Sequence, residues 1–361
     1  MSIDPLKGAM IGAGRFARFQ AEAWRRVEGA QIVAVADAAP GRAEEFSEQF
    51  GIAHAYCDAA EMLERERPDF VDVVTRPDSH LELVSLAARC GASVICQKPM
   101  APSWEECVAM VDVCAGADVR LLIHENWRWQ PWYREIKRLL DQGAVGRPFY
   151  AGFVMRNSDG RGAEPYAAQP YFREMERLLV YEMVVHFIDA FRFLLGEFKS
   201  VFCRMGRVNP GVKGEDYALI NLDFENGASC LIDANRISGP ARREPISEEV
   251  IVEGDRGKIR LARDCRIWLD EYGGAERRHD YAFPAEGYRG DSVRAAQRHF
   301  ISCLRTGERC ESEGEDYLKT VAAVFACYDS AESGHVVTVS SPALRRKRPR
   351  QIHYAIPNAS A

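Results

Sequence analysis

The sequence predicts two domains of different class. An α/β doubly wound sheet occupies residues 1–125, and an α+β domain with a large, mainly antiparallel sheet occupies 126–345, before a basic and polar tail at 346–361. Three observations point there. In the first third, apolar runs alternate with segments of helical periodicity. Beyond Asn126 that alternation stops, and β-rich runs separated by turn signals take over. At 361 residues the chain also exceeds what one hydrophobic core commonly serves.

Taken in order, "GAMIG" is the first apolar run. Phe16, Phe19, Gln20, Ala23, Trp24 and Val27 then recur at helical spacing, with Gly29 as the stop. "QIVAVAD" is a second strand closed by an acid, and "GRAEEFSEQFG" is a helix ending at Gly51. "DFVDVVT" is a third strand, followed by the helix "SHLELVSLAARCG", which stops at Gly91. "SVICQ", the helix "SWEECVAMVDVCAGA" and the strand "VRLLIHEN" complete the first domain. Strands that are apolar throughout and joined by helices pair in parallel through right-handed crossovers. In the second domain "PWYREIKRLLDQG" is a helix, and strand-like runs follow from "RPFYAGFVMR" to "RRHDYAFP". Asn226-Gly227 between two such runs is the strongest hairpin signal in the chain. The late helical stretches, "DSVRAAQRHFISCLRTG" and "GEDYLKTVAAVFACYDSAESG", are expected to pack back against the molecule.

Composition narrows the class. Hydrophobic residues make up 47% and charged residues 28%, a globular profile, and the net charge of -6 argues against a nucleic-acid binder. The basic run at 345–350 reads as a solvated tail. The start, "MSIDPLKGAMIGAG", has no basic region followed by a signal-length apolar core, and nothing later reaches membrane-spanning length. Eleven scattered cysteines without a Cys-x-x-Cys pair suggest a reducing cytoplasm, with no disulfide framework, no zinc site and no metal. Without a secretion signal, the sequon at Asn358 carries no weight.

The first turn carries chemistry. "GAGRFA" sets Gly12 and Gly14 in the G-x-G-x-x-G/A pattern of the Rossmann dinucleotide fold, with Arg15 and Phe16 opening the helix and Ala17 in the last position. Gly12 permits the tight turn, Gly14 lets the backbone approach a pyrophosphate, and the helix N-terminus favours the anion. Asp37, at the end of the second strand, has the spacing of an acid that hydrogen-bonds an adenosine ribose. A carboxylate there accepts from both hydroxyls and repels a 2′-phosphate, so NAD is expected over NADP, with Arg42 close enough in sequence to soften the preference. Ligands of open α/β sheets bind beyond the carboxyl ends of the strands. "TRPDSH", "CQKPM" and "HENWRW" lie there, collecting Thr75, His80, Lys98 and Arg128 along one edge.

On these residues the sequence resembles the Gfo/Idh/MocA oxidoreductases, sugar and cyclitol dehydrogenases with an N-terminal Rossmann domain. The family's Thr-Pro-x-x-x-His segment matches Thr75, Pro77 and His80 with an extra Arg76. Its Glu-Lys-Pro signature matches Gln97, Lys98 and Pro99, with glutamine where glutamate is usual. The resemblance implies that Gln97 lies beside the nicotinamide ribose and Lys98 beside the reacting carbon. Glutamine still hydrogen-bonds a ribose but adds no negative charge near the lysine. The family's Asp-x-x-x-His helix is matched by Glu182 and His186 in "RLLVYEMVVHFIDAFRFLLGE". Residues four apart on a helix share a face, so carboxylate and imidazole can meet, and Asp189 could hold the imidazole from its other side.

Between the first strand of the second domain and this helix, "RNSDGRGAEPYAAQPYFREMER" reads as a long loop with a substrate-covering role. With Asn126, Trp127 and Arg128 it would offer the amide, guanidinium and aromatic groups that recognise sugars, while Trp129 and Trp132 suit packing equally well. The expected reaction is NAD-dependent oxidation of a small polyhydroxylated substrate, an aldose at C1, such as the pentose D-apiose, or a cyclitol. His186 and Lys98 share the work on the hydroxyl in either order of roles, and Glu182 orients the histidine. Family members are commonly homodimers or homotetramers, which is expected here too. Two other readings stay open: an enzyme that cleaves glycosides while recycling NAD, and a non-catalytic dinucleotide sensor.

Overall fold

A computed structural model describes residues 4–240 and 245–339; the basic run at 345–350, the expected tail at 346–361 and Asn358 lie outside the described residues. Alternating elements begin the chain: β1 (Leu6–Ile11), α1 (Ala17–Trp24), β2 (Ala30–Ala36), α2 (Arg42–Phe50), β3 (His54–Tyr56), α3 (Ala59–Glu66), β4 (Phe70–Val73), α4 (His80–Arg89), β5 (Ser93–Gln97), α5 (Trp104–Gly116) and β6 (Leu121–His124). The six strands pair in parallel in the order β3-β2-β1-β4-β5-β6. Their order reverses between β1 and β4, which is where an open sheet of this kind opens a crevice for a ligand. The sequence reading passes over β3 and α3. β3 is three half-exposed residues at the sheet edge, so it leaves no apolar run to recognise. α3 is announced by Asp58, whose side chain accepts from the Glu61 N–H.

The later elements are α6 (Pro131–Asp141), β7 (Pro148–Arg156), α7 (Val185–Leu195), β8 (Phe198–Gly206), β9 (Tyr217–Phe224), β10 (Ser229–Asn235), β11 (Glu248–Gly254), β12 (Gly257–Leu261), β13 (Ile267–Glu271), β14 (Arg277–His279), α8 (Ser292–Thr306), α9 (Gly314–Ser333) and β15 (Val337–Thr338). Nine strands form one mixed, mainly antiparallel sheet, β14-β13-β12-β11-β7-β10-β9-β8-β15, in which β7 and β10 run parallel. The Asn226-Gly227 hairpin joins β9 to β10, with Gly227 at φ +89°. Alternation along these strands buries one face, including Phe153, Ile220, Leu222 and Ile232. α7 covers that face; the Phe153 and Phe187 rings lie 4.1 Å apart.

The chain divides into two compact units, residues Met1–Pro131 with Pro284–Lys319, and Trp132–Phe283 with Thr320–Ala361. This differs from the division at 125 and 345 read from the sequence, because the chain returns to its first unit. α8 lies against α1, and Phe300, Ile301 and Cys303 join Met10, Trp24, Val35 and Phe70 in one apolar core. Arg26 on α1 ties the returning segment down through Asp291, at 2.6 and 2.8 Å. Periodicity shows that a helix such as α8 buries a stripe, but not against what.

Candidate active site

The dinucleotide turn is built as its glycines require. Gly12 sits at φ +102°, and a Cβ there would lie 2.6 Å from the carbonyl oxygen of Val74, so only glycine fits. Gly14 faces open space, with nothing within 4 Å of a Cβ built on it. Ala17, fully buried, starts α1. Arg15 is exposed, and Phe16 packs against Phe19, Tyr288 and His124, so the returning segment lends Tyr288 to this edge. Asp37 follows β2 and accepts hydrogen bonds from the N–H groups of Ala13 (2.8 Å) and Ala39 (2.9 Å), with Arg42 at 3.4 Å. An open glycine at a helix N-terminus, a crowded one behind it and an anchored carboxylate fit a dinucleotide with an unphosphorylated ribose.

The next strand ends carry His80 and Gln97. His80, expected at the cofactor, is wholly enclosed, with Nδ1 3.0 Å from the carbonyl of Met100 and Nε2 3.1 Å from that of Thr75. It staples the segment after β4 to the segment after β5, and burial lowers its pKa against the pull of those carbonyls. Thr75 accepts from the Ser79 hydroxyl at 2.7 Å, and Pro77 opens the short helical turn between them. Gln97, expected beside the nicotinamide ribose, is 6% exposed. Its Nε2 lies 3.1 Å from His124 Nδ1, and its Oε1 accepts from the Lys98 N–H at 3.0 Å. Both ends of the side chain thus brace the strand tips that carry Lys98, which is itself half-buried.

The segment after β6 holds the residue that sequence reasoning missed. Glu125 is 1% exposed and accepts from the Tyr317 hydroxyl (3.1 Å) and the Trp127 N–H (3.2 Å). Burial raises its pKa to about 7, opposed by the charge of Lys98, those two donors and Arg128. The available signal was an acid inside an apolar strand-end run, "LLIHEN", one residue past the strand. The three residues expected at the substrate are buried as well. Asn126 donates to the Ser292 hydroxyl at 3.0 Å, Trp127 lies under the Arg289 guanidinium, and Arg128 lies 3.8 Å from Glu311. Trp129 packs at a tilt against His299 within the first unit, and Trp132 stacks on Phe283 within the second.

In the second unit, Glu182 and His186 are both buried, but they belong to different turns. Residues Leu179–Val184 form a π-helical turn, and His186 lies in the first turn of α7. A π-turn carries more residues per turn than an α-helix, and residues four apart still fall near one side of it. Glu182 lies 3.6 Å from Arg236, and Asp189 accepts from the Thr320 hydroxyl at 3.0 Å. Arg236, 4% exposed, also pairs with Asp159 and lies over the rings of Tyr166 and Phe172. The segment read as a long loop is thus packed, with Tyr166, Phe172, Leu178 and Val212 as a small core of its own.

Among the described residues, His299, Cys303 and Cys310 place potential ligand atoms within 4.8 Å of one another, where the sequence suggests no metal. The surroundings suit a cation poorly. The Glu311 N–H donates to His299 Nε2 at 2.7 Å, and the Arg120 guanidinium lies 3.6 Å from Cys310 Sγ.

Comparison with known proteins agrees with this geometry. Residues 6–125 match the oxidoreductase family with an NAD-binding Rossmann fold, and residues 133–260 match the Gfo/Idh/MocA C-terminal domain. The chain belongs to the Gfo/Idh/MocA oxidoreductase family. Its cofactor is NAD. It is 38% identical to a D-apiose dehydrogenase of Rhizobium rhizogenes over 94% of this chain and 99% of that protein. It is also 38% identical to one of Paraburkholderia graminis, over 94% and 91% respectively. A crystal structure of an oxidoreductase from Agrobacterium radiobacter in complex with NAD+, L-tartaric acid and magnesium superposes with a TM-score of 0.86, at 37% identity over 92% of this chain and 98% of that one. Among the described residues, no helix is long and apolar enough to cross a membrane.

Proposed function

We propose that this oxidoreductase oxidises a small sugar at a hydroxyl-bearing carbon with NAD, and that D-apiose is its first candidate substrate. The observation that carries this reading is the likeness to two D-apiose dehydrogenases over nearly the full length of both partners. Cyclitols are the second class to try, since a myo-inositol 2-dehydrogenase of Thermotoga maritima is 28% identical over 90% of this chain.

Bound NAD supplies the hydride acceptor, and the protein supplies alignment and proton handling. Gly12, Gly14 and Asp37 hold the adenosine and pyrophosphate half in this reading, with Arg15, Phe16, Thr75, Pro77 and His80 around the cofactor and Gln97 beside the nicotinamide ribose. Lys98 hydrogen-bonds the reacting oxygen, and His186 takes the hydroxyl proton, with the alternative division of labour open to the same two side chains. Developing negative charge on that oxygen in a water-poor site makes the Lys98 contact worth several kcal/mol. Glu182 orients His186 in this reading, and its carboxylate also lies 3.6 Å from Arg236. Eleven cysteines scattered along the chain suit a reducing compartment. Self-association belongs to the same reading, because the outer face of the nine-stranded sheet exposes Val154, Tyr217, Leu219 and Leu231. A purely monomeric species in light scattering would remove that part.

The deciding experiment is a panel of aldoses, polyols and cyclitols with NAD and NADP separately, following nicotinamide reduction. D-apiose with NAD is expected to give the highest kcat/KM. Reduction by cyclitols alone would replace the substrate, and silence across the panel would overturn the reading.

A further inference from the structure

Lys98 and Glu125 occupy corresponding places on adjacent strands. Gln97 and His124 are Cα partners in the β5–β6 register, and Lys98 and Glu125 are the next residue on each strand. Gln97 is neutral, with its amide committed to His124 and to the Lys98 backbone, so it brings no charge to the amine. The groups facing Glu125 come from three other places in the fold: the Lys98 amine beyond β5, the Arg128 guanidinium and Trp127 N–H of the following turn, and the Tyr317 hydroxyl of α9. A buried carboxylate with a tethered geometry and a cation beside it is an aiming device. Its two oxygens are pinned by Tyr317 and Trp127, so its pull on the amine has a fixed direction.

We infer that Glu125 is a positioning residue for the reaction: its carboxylate, held by Tyr317 and the Trp127 N–H, aims the Lys98 amine at the reacting oxygen. The inference rests on the dehydrogenase reading above. Lys98 remains the group that touches substrate, and Glu125 acts through it. Because burial holds the Glu125 titration near 7, the aim is set when the carboxylate is ionised and relaxes when it is protonated. Turnover therefore acquires an acid limb near neutrality that belongs to Glu125. Histidine titrates in the same range, so the test has to separate the two sources.

Tyr317→Phe does so, because the Tyr317 hydrogen bond favours the ionised carboxylate. The acid limb of kcat should move upward by about half a unit to one unit in that variant. In Glu125→Gln the limb should be lost and kcat should fall roughly 10- to 100-fold, with the Kd for NAD unchanged. A limb from His186 would move in neither variant, and an unmoved limb in both overturns the inference. A second readout needs no substrate. Infrared pH titration of the NAD-free protein should show carboxylic-acid absorption titrating near pH 7 from both Asp72 and Glu125, of which the band that Glu125→Gln removes should titrate higher in Lys98→Met. If Lys98→Met leaves that band in place, the pairing itself is wrong. Should the wild type oxidise no sugar or cyclitol, the functional reading fails, and this titration still decides whether Glu125 and Lys98 are coupled.

Discussion

Two buried carboxylates on one sheet, Asp72 and Glu125, show why burial alone does not make a site. Asp72 lies inside β4 and Glu125 just past β6; they are 0% and 1% exposed, and burial lifts the pKa of each to about 7. Asp72 receives its hydrogen bonds from neutral groups on α1, Gln20 Nε2 at 3.0 Å and Trp24 Nε1 at 2.6 Å. It locks a helix to the middle of a strand. Glu125 stands at the carboxyl end of its strand, where Lys98 and Arg128 oppose the shift. The perturbed pKa is common to both, so it cannot be the functional signal. What separates them is the cation and the place in the fold.

The most severe trial of that contrast is chemical. Lys98→Met is expected to lower kcat by about 1000-fold or more, equivalent to roughly 4 kcal/mol. Steady-state kinetics and an NAD titration check it, with NAD affinity expected to stay within about twofold. Asp72→Asn should leave kcat near the wild-type value. If Asp72→Asn impaired turnover as much as Lys98→Met, core and edge would not be separable in this way.

Stability offers a second, smaller trial, in which Asp72 should dominate. Its folded pKa is raised above the unfolded value, so between about pH 4 and pH 7 the folded state binds more protons than the unfolded chain. Its contribution therefore becomes less favourable as pH rises through that window. Asp72→Asn, which cannot ionise, should gain relative to wild type on going from pH 5 to pH 8, by about 2–4 kcal/mol. Denaturant unfolding at the two pH values measures the difference. A variant that loses ground at pH 8 would mean that the ionised carboxylate, with its two donors, is the more stable state of the core.

These trials bear on what a sequence discloses. The alternating strands and helices, the glycine turn, Asp37, Lys98 at a strand end and the Asn226-Gly227 hairpin were legible because each rests on local periodicity or backbone demand. Asp72 and Glu125 were not, since a single acid inside an apolar run looks alike whether its partners are neutral or cationic. Those partners are distant in sequence: Trp24 for one, Tyr317 for the other. The π-helical turn before α7 was hidden for a different reason. Leu179, Val180 and Val184 are all buried, so an almost wholly apolar stretch carries no polar stripe from which to read a changed period. Arg236 likewise follows a β-strand inconspicuously, and its role emerges only when Asp159, Glu182, Tyr166 and Phe172 are brought around it.

Asp37 extends the contrast to a third carboxylate, held by backbone N–H groups rather than by enclosure. Anchoring by Ala13 and Ala39 resembles the structural use of Asp72, whereas a ribose contact would place Asp37 with the functional acids. Asp37→Asn distinguishes them at a modest scale. Asparagine keeps one acceptor for the loop but removes the charge that repels a 2′-phosphate, and it leaves Arg42 without its carboxylate neighbour. The ratio of kcat/KM for NAD to that for NADP should fall about 10- to 100-fold, equivalent to roughly 1–3 kcal/mol. An unchanged ratio would make Asp37 an anchor of the glycine turn, and the discrimination between cofactors would have to come from elsewhere along the sheet edge. A changed ratio with unchanged thermal stability would instead show that its two backbone hydrogen bonds orient the carboxylate for the ribose more than they stabilise the loop.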